Sequence, residues 1–322
     1  MFQELIESIE SKCALFLNEN QISKLHDVII ECMSADRKTR PISNEGLLDS
    51  FINSKRIEGC SEKTLHYYSS TINSMFQRFD KIVTCLTTDD LRSYLSMYQN
   101  ERGASKVTIN NIRRILSTFY SWLEDEDYII KSPVRRIKKV KTIKSVKQVY
   151  SDEMLEQLRD NCENIRDLSM VDLLSSTGMR VGELVNLNRM DVDLINRECV
   201  VLGKGGKERT VYFDARTKVH LSNYLNTRMD DNEALFVSLS EPHNRLEISG
   251  VETRLKKIGK DIGSGSVHPH KFRRTLATRA IDKGMPIEQV QVLLGHTKID
   301  TTLEYAMVNQ QNVKASHCKF IC

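Results

Sequence analysis

Between Lys131 and Lys147 the chain carries eight basic residues (Lys131, Arg135, Arg136, Lys138, Lys139, Lys141, Lys144 and Lys147) and no acid. Pro133, the β-branched residues and the absence of a helical apolar period make this stretch an extended linker rather than a helix. As an extended linker, the segment divides the 322-residue chain into two parts, each long enough for its own core. The net charge of +4 conceals this, because removing the stretch leaves 39 basic residues against 43 acids, a net of −4. Most charge runs are solvated connectors. This one lies between two well-patterned halves, a position that suits a linker running along a polyanion and displacing its counterions.

Before the linker the pattern is helical. Leu65, Tyr68, Ile72, Met75 and Phe79 keep helical spacing after Ser61, as do Ile112, Leu116, Phe119 and Leu123. Thr87 with Asp90 reads as a capping-box pair opening a shorter helix, and Leu47 to Lys55, ending near Gly59, makes a fourth. Residues 1–34 form a further helical pair, with six acids against two lysines. After the linker, Ser151-Asp152-Glu153 starts a helix, a helix ends at Gly178, and another opens over Val181 to Leu187. Cys199 to Leu202 and Arg209 to Phe213, joined by Gly203-Lys204-Gly205-Gly206-Lys207, read as a hairpin. Helices return at about 215–227, 250–262, 270–283 and 287–294. The expected fold is mainly α with a small antiparallel β-sheet: an N-terminal helical extension at 1–42, a helical domain at 43–135, the basic linker at 136–150 and a mixed α/β domain at 151–322.

The longest purely apolar run, Cys13 to Leu17, cannot span a membrane, and Glu4, Glu7 and Glu10 precede the first basic residue, Lys12. A cytoplasmic protein is expected. Eight scattered cysteines without a Cys-x-x-Cys pair fit reduced thiols rather than a disulfide framework or a zinc site.

Five local patterns in the second half require a joint explanation. They are Thr177-Gly178-Met179-Arg180-Val181-Gly182-Glu183-Leu184, Gly203-Lys204-Gly205, His270-Lys271-Phe272-Arg273, Leu294-Gly295-His296, and Tyr305 nine positions later. Each alone is ordinary: an ion pair, a hairpin turn, a polar helix face, a packing tyrosine. Together, in the order Arg, Lys, His-x-x-Arg, His, Tyr, they resemble the tyrosine recombinases, the phage-integrase and Xer-type family, with every catalytic position present. The resemblance extends over 45–322. It implies a helical core-binding domain, a basic linker whose Arg135, Arg136, Lys138, Lys139, Lys141 and Lys144 contact DNA, and a catalytic domain.

The chemistry agrees. Transferring a DNA phosphodiester needs a nucleophile, a proton donor for the departing 5′-oxygen and positive charge for the crowded phosphoryl oxygens. Arg180 and Arg273 can fork onto the non-bridging oxygens, and His296 adds a donor. By resemblance, Tyr305 attacks, Lys204 is the general acid, His270 is the base or hydrogen-bond partner, and Glu183 holds Arg180 in place. With a free pKa of about 10, a tyrosine needs such cationic neighbours to ionise near neutral pH.

No carboxylate cluster suggests a two-metal site, Gly203 to Lys207 departs from the Gly-x-x-x-x-Gly-Lys-Ser/Thr phosphate loop, and His268 with His270 lacks a third ligand. No metal and no cofactor are expected. The resemblance implies a 3′-phosphotyrosine intermediate, rejoining without ATP, double-stranded DNA with inverted-repeat core sites as partner, and a homo-tetramer on that DNA with C-terminal tails docked on neighbours. The outcome would be integration, excision, inversion or dimer resolution. Two other activities fit parts of the pattern, topoisomerase-like relaxation and non-catalytic regulation by DNA binding. The domain layout disfavours the first, and the intact residue set the second.

Overall fold

A computed structural model of the chain describes residues 9–35, 43–141, 148–203, 206–265 and 267–303, together with Tyr305 and His317. Its contacts divide the chain into two compact units, Met1–Lys144 and Ser145–Cys322.

In the first unit, residues 9–13 are helical and helix α1 spans Glu19–Ala35. Asn18 and Gln21 cap its start reciprocally, at 2.9 and 3.0 Å, and His26 Nδ1 lies 2.5 Å from Glu10 Oε1. Leu15, Phe16 and Val28 remain exposed. Four further helices form a bundle: α2 Asn44–Ile57, α3 Glu62–Phe76, α4 Thr88–Arg102 and α5 Lys106–Asp125. Ser43, Ser61, Thr87 and Ser105 cap them, each hydroxyl accepting from a backbone N–H three residues on. The Thr87–Asp90 capping box is present. The apolar stripe of α5, from Ile109 to Leu123, meets Phe51, Ile72, Met75 and Leu91 in one core. There Phe51 contacts Phe119 edge-on at 5.1 Å and Trp122 at 5.6 Å.

The basic stretch differs from a free connector over its first half. Pro133–Arg136 form a 3₁₀ turn, after which Ile137 and Val140 pack on the bundle core. Asn110 clamps Val140 on both sides, donating to its carbonyl at 2.8 Å and accepting from its N–H at 2.9 Å. Two apolar anchors three residues apart are enough to pin the chain, and Arg135, Arg136, Lys138, Lys139 and Lys141 are left exposed. Lys144 lies outside the described residues.

The second unit contains α6 Asp152–Asp160, α7 Ile165–Thr177, α8 Val181–Asn186, strands β1 Val192–Asp193, β2 Glu198–Leu202 and β3 Glu208–Tyr212, then α9 Ala215–Thr227, α10 Ile248–Asp261, α11 Pro269–Asp282, α12 Ile287–Leu294 and α13 Ile299–Leu303. The sheet is antiparallel in the order β1-β2-β3, with Val201 opposite Arg209 and Cys199 opposite Val211. Helix α7 runs through the core: Met170, Val171, Leu173 and Leu174 are buried with Leu184, Val201, Val211, Phe236, Leu255 and Phe272. Its buried acids are paired, Asp167 with Arg166 and Arg254, and Asp172 with Arg159 and His220. The sequence reading anticipated the hairpin and the helices up to α12. It did not contain β1, two residues long, or α13, five.

Candidate active site

Two glycines in the left-handed conformation organise the site. Gly178 (φ +61°) ends α7 and Gly295 (φ +64°) ends α12. Both helix ends direct a carbonyl at Arg273, which α11 carries one turn beyond His270. The Arg273 guanidinium donates through Nη1 to Gly178 O at 2.9 Å and through Nη2 to Leu294 O, and the residue is 1% exposed. Arg273 therefore spends two of its five donors on the protein and is anchored before any ligand arrives. Burial, then the charges of Arg180 and Arg209, lowers its pKa to about 10, so it stays protonated at neutral pH.

Immediately after Gly178 the chain starts α8, with Arg180 at its N-cap. Glu183, three residues on, accepts from Arg180 N at 2.7 Å and from Arg180 Nη1 at 2.8 Å. It also accepts from Arg209 Nη1 at 2.8 Å and Arg209 Nη2 at 2.7 Å. Burial works to raise the Glu183 pKa, but the Arg209 and Arg180 hydrogen bonds outweigh it and hold the carboxyl below its ordinary value. Glu183 thus holds Arg180 together with a second arginine that the motif reading did not include.

His296 follows Gly295. Its Nδ1 lies 2.9 Å from Thr302 Oγ1 on α13, and its ring stacks on Tyr305 at 5.9 Å between centroids and 24° between planes. Burial, then the charges of Arg273, Arg180, Arg209 and His270, lowers its pKa to about 4. The imidazole is neutral at pH 7. A Thr302 hydroxyl that donates to Nδ1 leaves the ring proton on Nε2, the tautomer that can donate into the site. Tyr305 is half-buried against Ala277, Val290 and Leu294, and its N–H donates to Thr302 O at 2.9 Å. Helix α13 is therefore the device that presents His296 and Tyr305 together.

Arg180, Glu183, Arg273, His296 and Tyr305 converge. His270 is exposed at the second residue of α11, close enough for its charge to act on His296. Lys204 lies outside the described residues, as does the tail beyond Tyr305 except His317.

Residues 146–312 match the model of the phage integrase family, and residues 47–130 match its N-terminal SAM-like domain. The chain belongs to the phage integrase family. It is a tyrosine-type site-specific recombinase, 32% identical over 283 residues to the tyrosine recombinase XerC of Staphylococcus aureus, a match covering 83% of this chain and 93% of that one. Among solved structures, its fold resembles the Tn1549 transposon integrase in complex with a circular intermediate DNA (TM-score 0.69, 18% identity, 85% of this chain and 98% of that one). It also resembles the XerH recombinase bound to a palindromic difH substrate (TM-score 0.67, 19% identity, 97% and 94%). Among the described residues of the recombinase, no helix is long and apolar enough to cross a membrane.

Proposed function

We propose that this recombinase cuts and rejoins double-stranded DNA through Tyr305. The phenolic oxygen attacks a backbone phosphorus, the bond to the 5′-oxygen breaks, and a 3′-phosphotyrosine holds the strand end. Lys204 protonates the departing 5′-oxygen, and the tyrosine proton passes to His270 or through it to water. Rejoining is the reverse reaction, with a 5′-hydroxyl of the partner strand attacking the phosphotyrosine. The bond energy is kept in the ester, so the step is close to neutral without ATP. Arg180, Arg273 and Nε2 of His296 stabilise the charge on the non-bridging oxygens as the phosphorus becomes crowded. The convergence of Arg180, Arg273 and neutral His296 beside Tyr305 carries this reading.

In the same reading, residues 43–135 grip the DNA, 136–150 follow the phosphate backbone through Arg136, Lys138, Lys139, Lys141 and Lys144 with Arg135 just before them, and 151–322 hold the chemistry. Residues 1–42 form a helical extension. The working unit is a tetramer on inverted-repeat core sites, since exchange requires two duplexes each cut twice. The test uses a nicked suicide duplex carrying the inverted repeat that the wild-type protein protects in the DNA flanking its own gene. Wild type should accumulate a covalent adduct at Tyr305, while Tyr305→Phe binds the duplex and forms none. An adduct of normal yield from Tyr305→Phe would remove Tyr305 as nucleophile. Plasmids carrying two sites then distinguish exchange from relaxation.

A further inference from the structure

Arg209 lies on β3, opposite Val201 and two residues before Val211, on the face of the sheet that turns toward the core. A charged side chain at such a position needs a buried partner, and this one has two. Both terminal nitrogens fork onto the two oxygens of Glu183, while Nε donates to Leu293 O at 3.1 Å. Gly295 sits directly on the stem: a Cβ there would lie 2.9 Å from Arg209 Cδ and 3.1 Å from Nε. One side chain thus links the N-cap of α8, where Arg180 stands, to the turn that carries His296. It does so from the strand that follows the Gly203–Lys207 turn. All three nitrogens are committed to protein acceptors.

We propose that Arg209 is a positioning residue for strand cleavage: through Glu183 it fixes the Arg180 guanidinium, and through Leu293 O and Gly295 it seats the Leu294-Gly295-His296 turn. It acts on the phosphate through other side chains. The proposal rests on the reading of Tyr305 as the nucleophile. Lysine cannot replace it, because one ammonium cannot bond both Glu183 oxygens and Leu293 O in a fixed plane.

The experiment measures half-site binding by gel shift, adduct formation on the suicide duplex in a single turnover, and melting temperature. The proteins are wild type, Arg209→Gln, Arg209→Lys, Arg180→Lys and the double variant Arg180→Lys/Arg209→Gln. The proposal expects both Arg209 variants to bind within about threefold of wild type while forming adduct roughly 30-fold or more slowly. In the Arg180→Lys background, Arg209→Gln should cost only a further few-fold, because the group it aligns has gone. If Arg209→Gln melts below the assay temperature, Arg209→Lys, which keeps stem and charge, decides the matter. Adduct formation at the wild-type rate by Arg209→Lys overturns the proposal, and so do losses that multiply fully in the double variant. Loss of half-site binding in both variants together with a fall in melting temperature overturns it in favour of a purely structural role. A wild-type protein that forms no adduct at Tyr305 overturns the proposed function instead.

Discussion

Replacing Glu183 by Gln tests the centre of this site at almost constant shape. The carboxylate accepts four hydrogen bonds, two on each oxygen, and a glutamine amide offers one oxygen and presents an NH₂ to donors where the other stood. At least one pair of bonds is lost. The charge that offsets Arg180 and Arg209 is lost with it, at a residue only 5% exposed. Removing one partner of a buried ion pair costs about 3–5 kcal/mol. In a unit of the size of Ser145–Cys322, each kcal/mol moves the melting temperature by about 2–4 °C, so Glu183→Gln should lower it by about 6–20 °C at pH 7. The sign with pH is fixed as well. The folded-state pKa of Glu183 lies below its unfolded value of 4.5, so the stability it contributes is present above pH 4.5 and is lost as pH falls through the folded value. The gap between wild type and Glu183→Gln should therefore narrow in acid. Arg92→Ala, which removes an exposed pair with Asp89, is the control and should leave the melting curve unmoved. Melting followed by circular dichroism from pH 3 to 7 decides it. A Glu183→Gln variant melting within about 2 °C of wild type at pH 7 would refute the assignment of Glu183 as the shared counter-charge.

Two further outcomes follow from the same geometry and charge. An NMR titration of the His296 imidazole should show a midpoint near pH 4 in the free protein, with the stability tied to its neutral form present above its unfolded value of 6.5 and lost as pH falls toward 4; a midpoint above 6 would remove the cationic surroundings described for it. Neutralising Lys138, Lys139, Lys141 and Lys144 together should weaken binding to every DNA sequence and reduce the salt dependence by a slope of about three to four, whereas an unchanged slope would return the segment to a solvated connector.

What could be read in advance follows how local the determinant is. Arg180 and Glu183 stand three residues apart at a helix start, and Gly178 and Gly295 mark helix ends by their chemistry, so the pieces of the site were visible as short patterns. The link between them was not, because Arg209 meets Glu183 from 26 residues away and Leu293 from 84. A signal existed: Arg209 and Val211 share one face of a strand, and an arginine on an inward face announces a buried acid. In the basic stretch, the spacing of Ile137 and Val140 was masked by the lysines around them, and their partners lie far off in sequence, such as Asn110, 30 residues before Val140. The short α13 could not be found by periodicity, since five residues do not complete two turns.

On the proposed chemistry, the charge arrangement lets the site wait without substrate and still act on it. Three guanidiniums, Arg180, Arg209 and Arg273, share the field of Glu183, and the proton that a fourth cation would need is kept off His296. Each nitrogen of Arg209 donates to a protein acceptor, and Arg273 is tied to two helix-end carbonyls whose partial negative charge offsets part of its own. Geometry is thereby fixed while net positive charge remains. On the proposed chemistry, a phosphodiester entering beside Tyr305 supplies the missing negative charge, and its oxygens gain a further increment as the phosphorus becomes crowded. The interactions that strengthen most at that moment are those with donors already held in place, so little reorganisation is left to do in the transition state. The neutral imidazole adds to this asymmetry: a protonated His296 would bind the ground-state phosphate more tightly, whereas a neutral one donates most strongly when charge builds on the oxygen it faces.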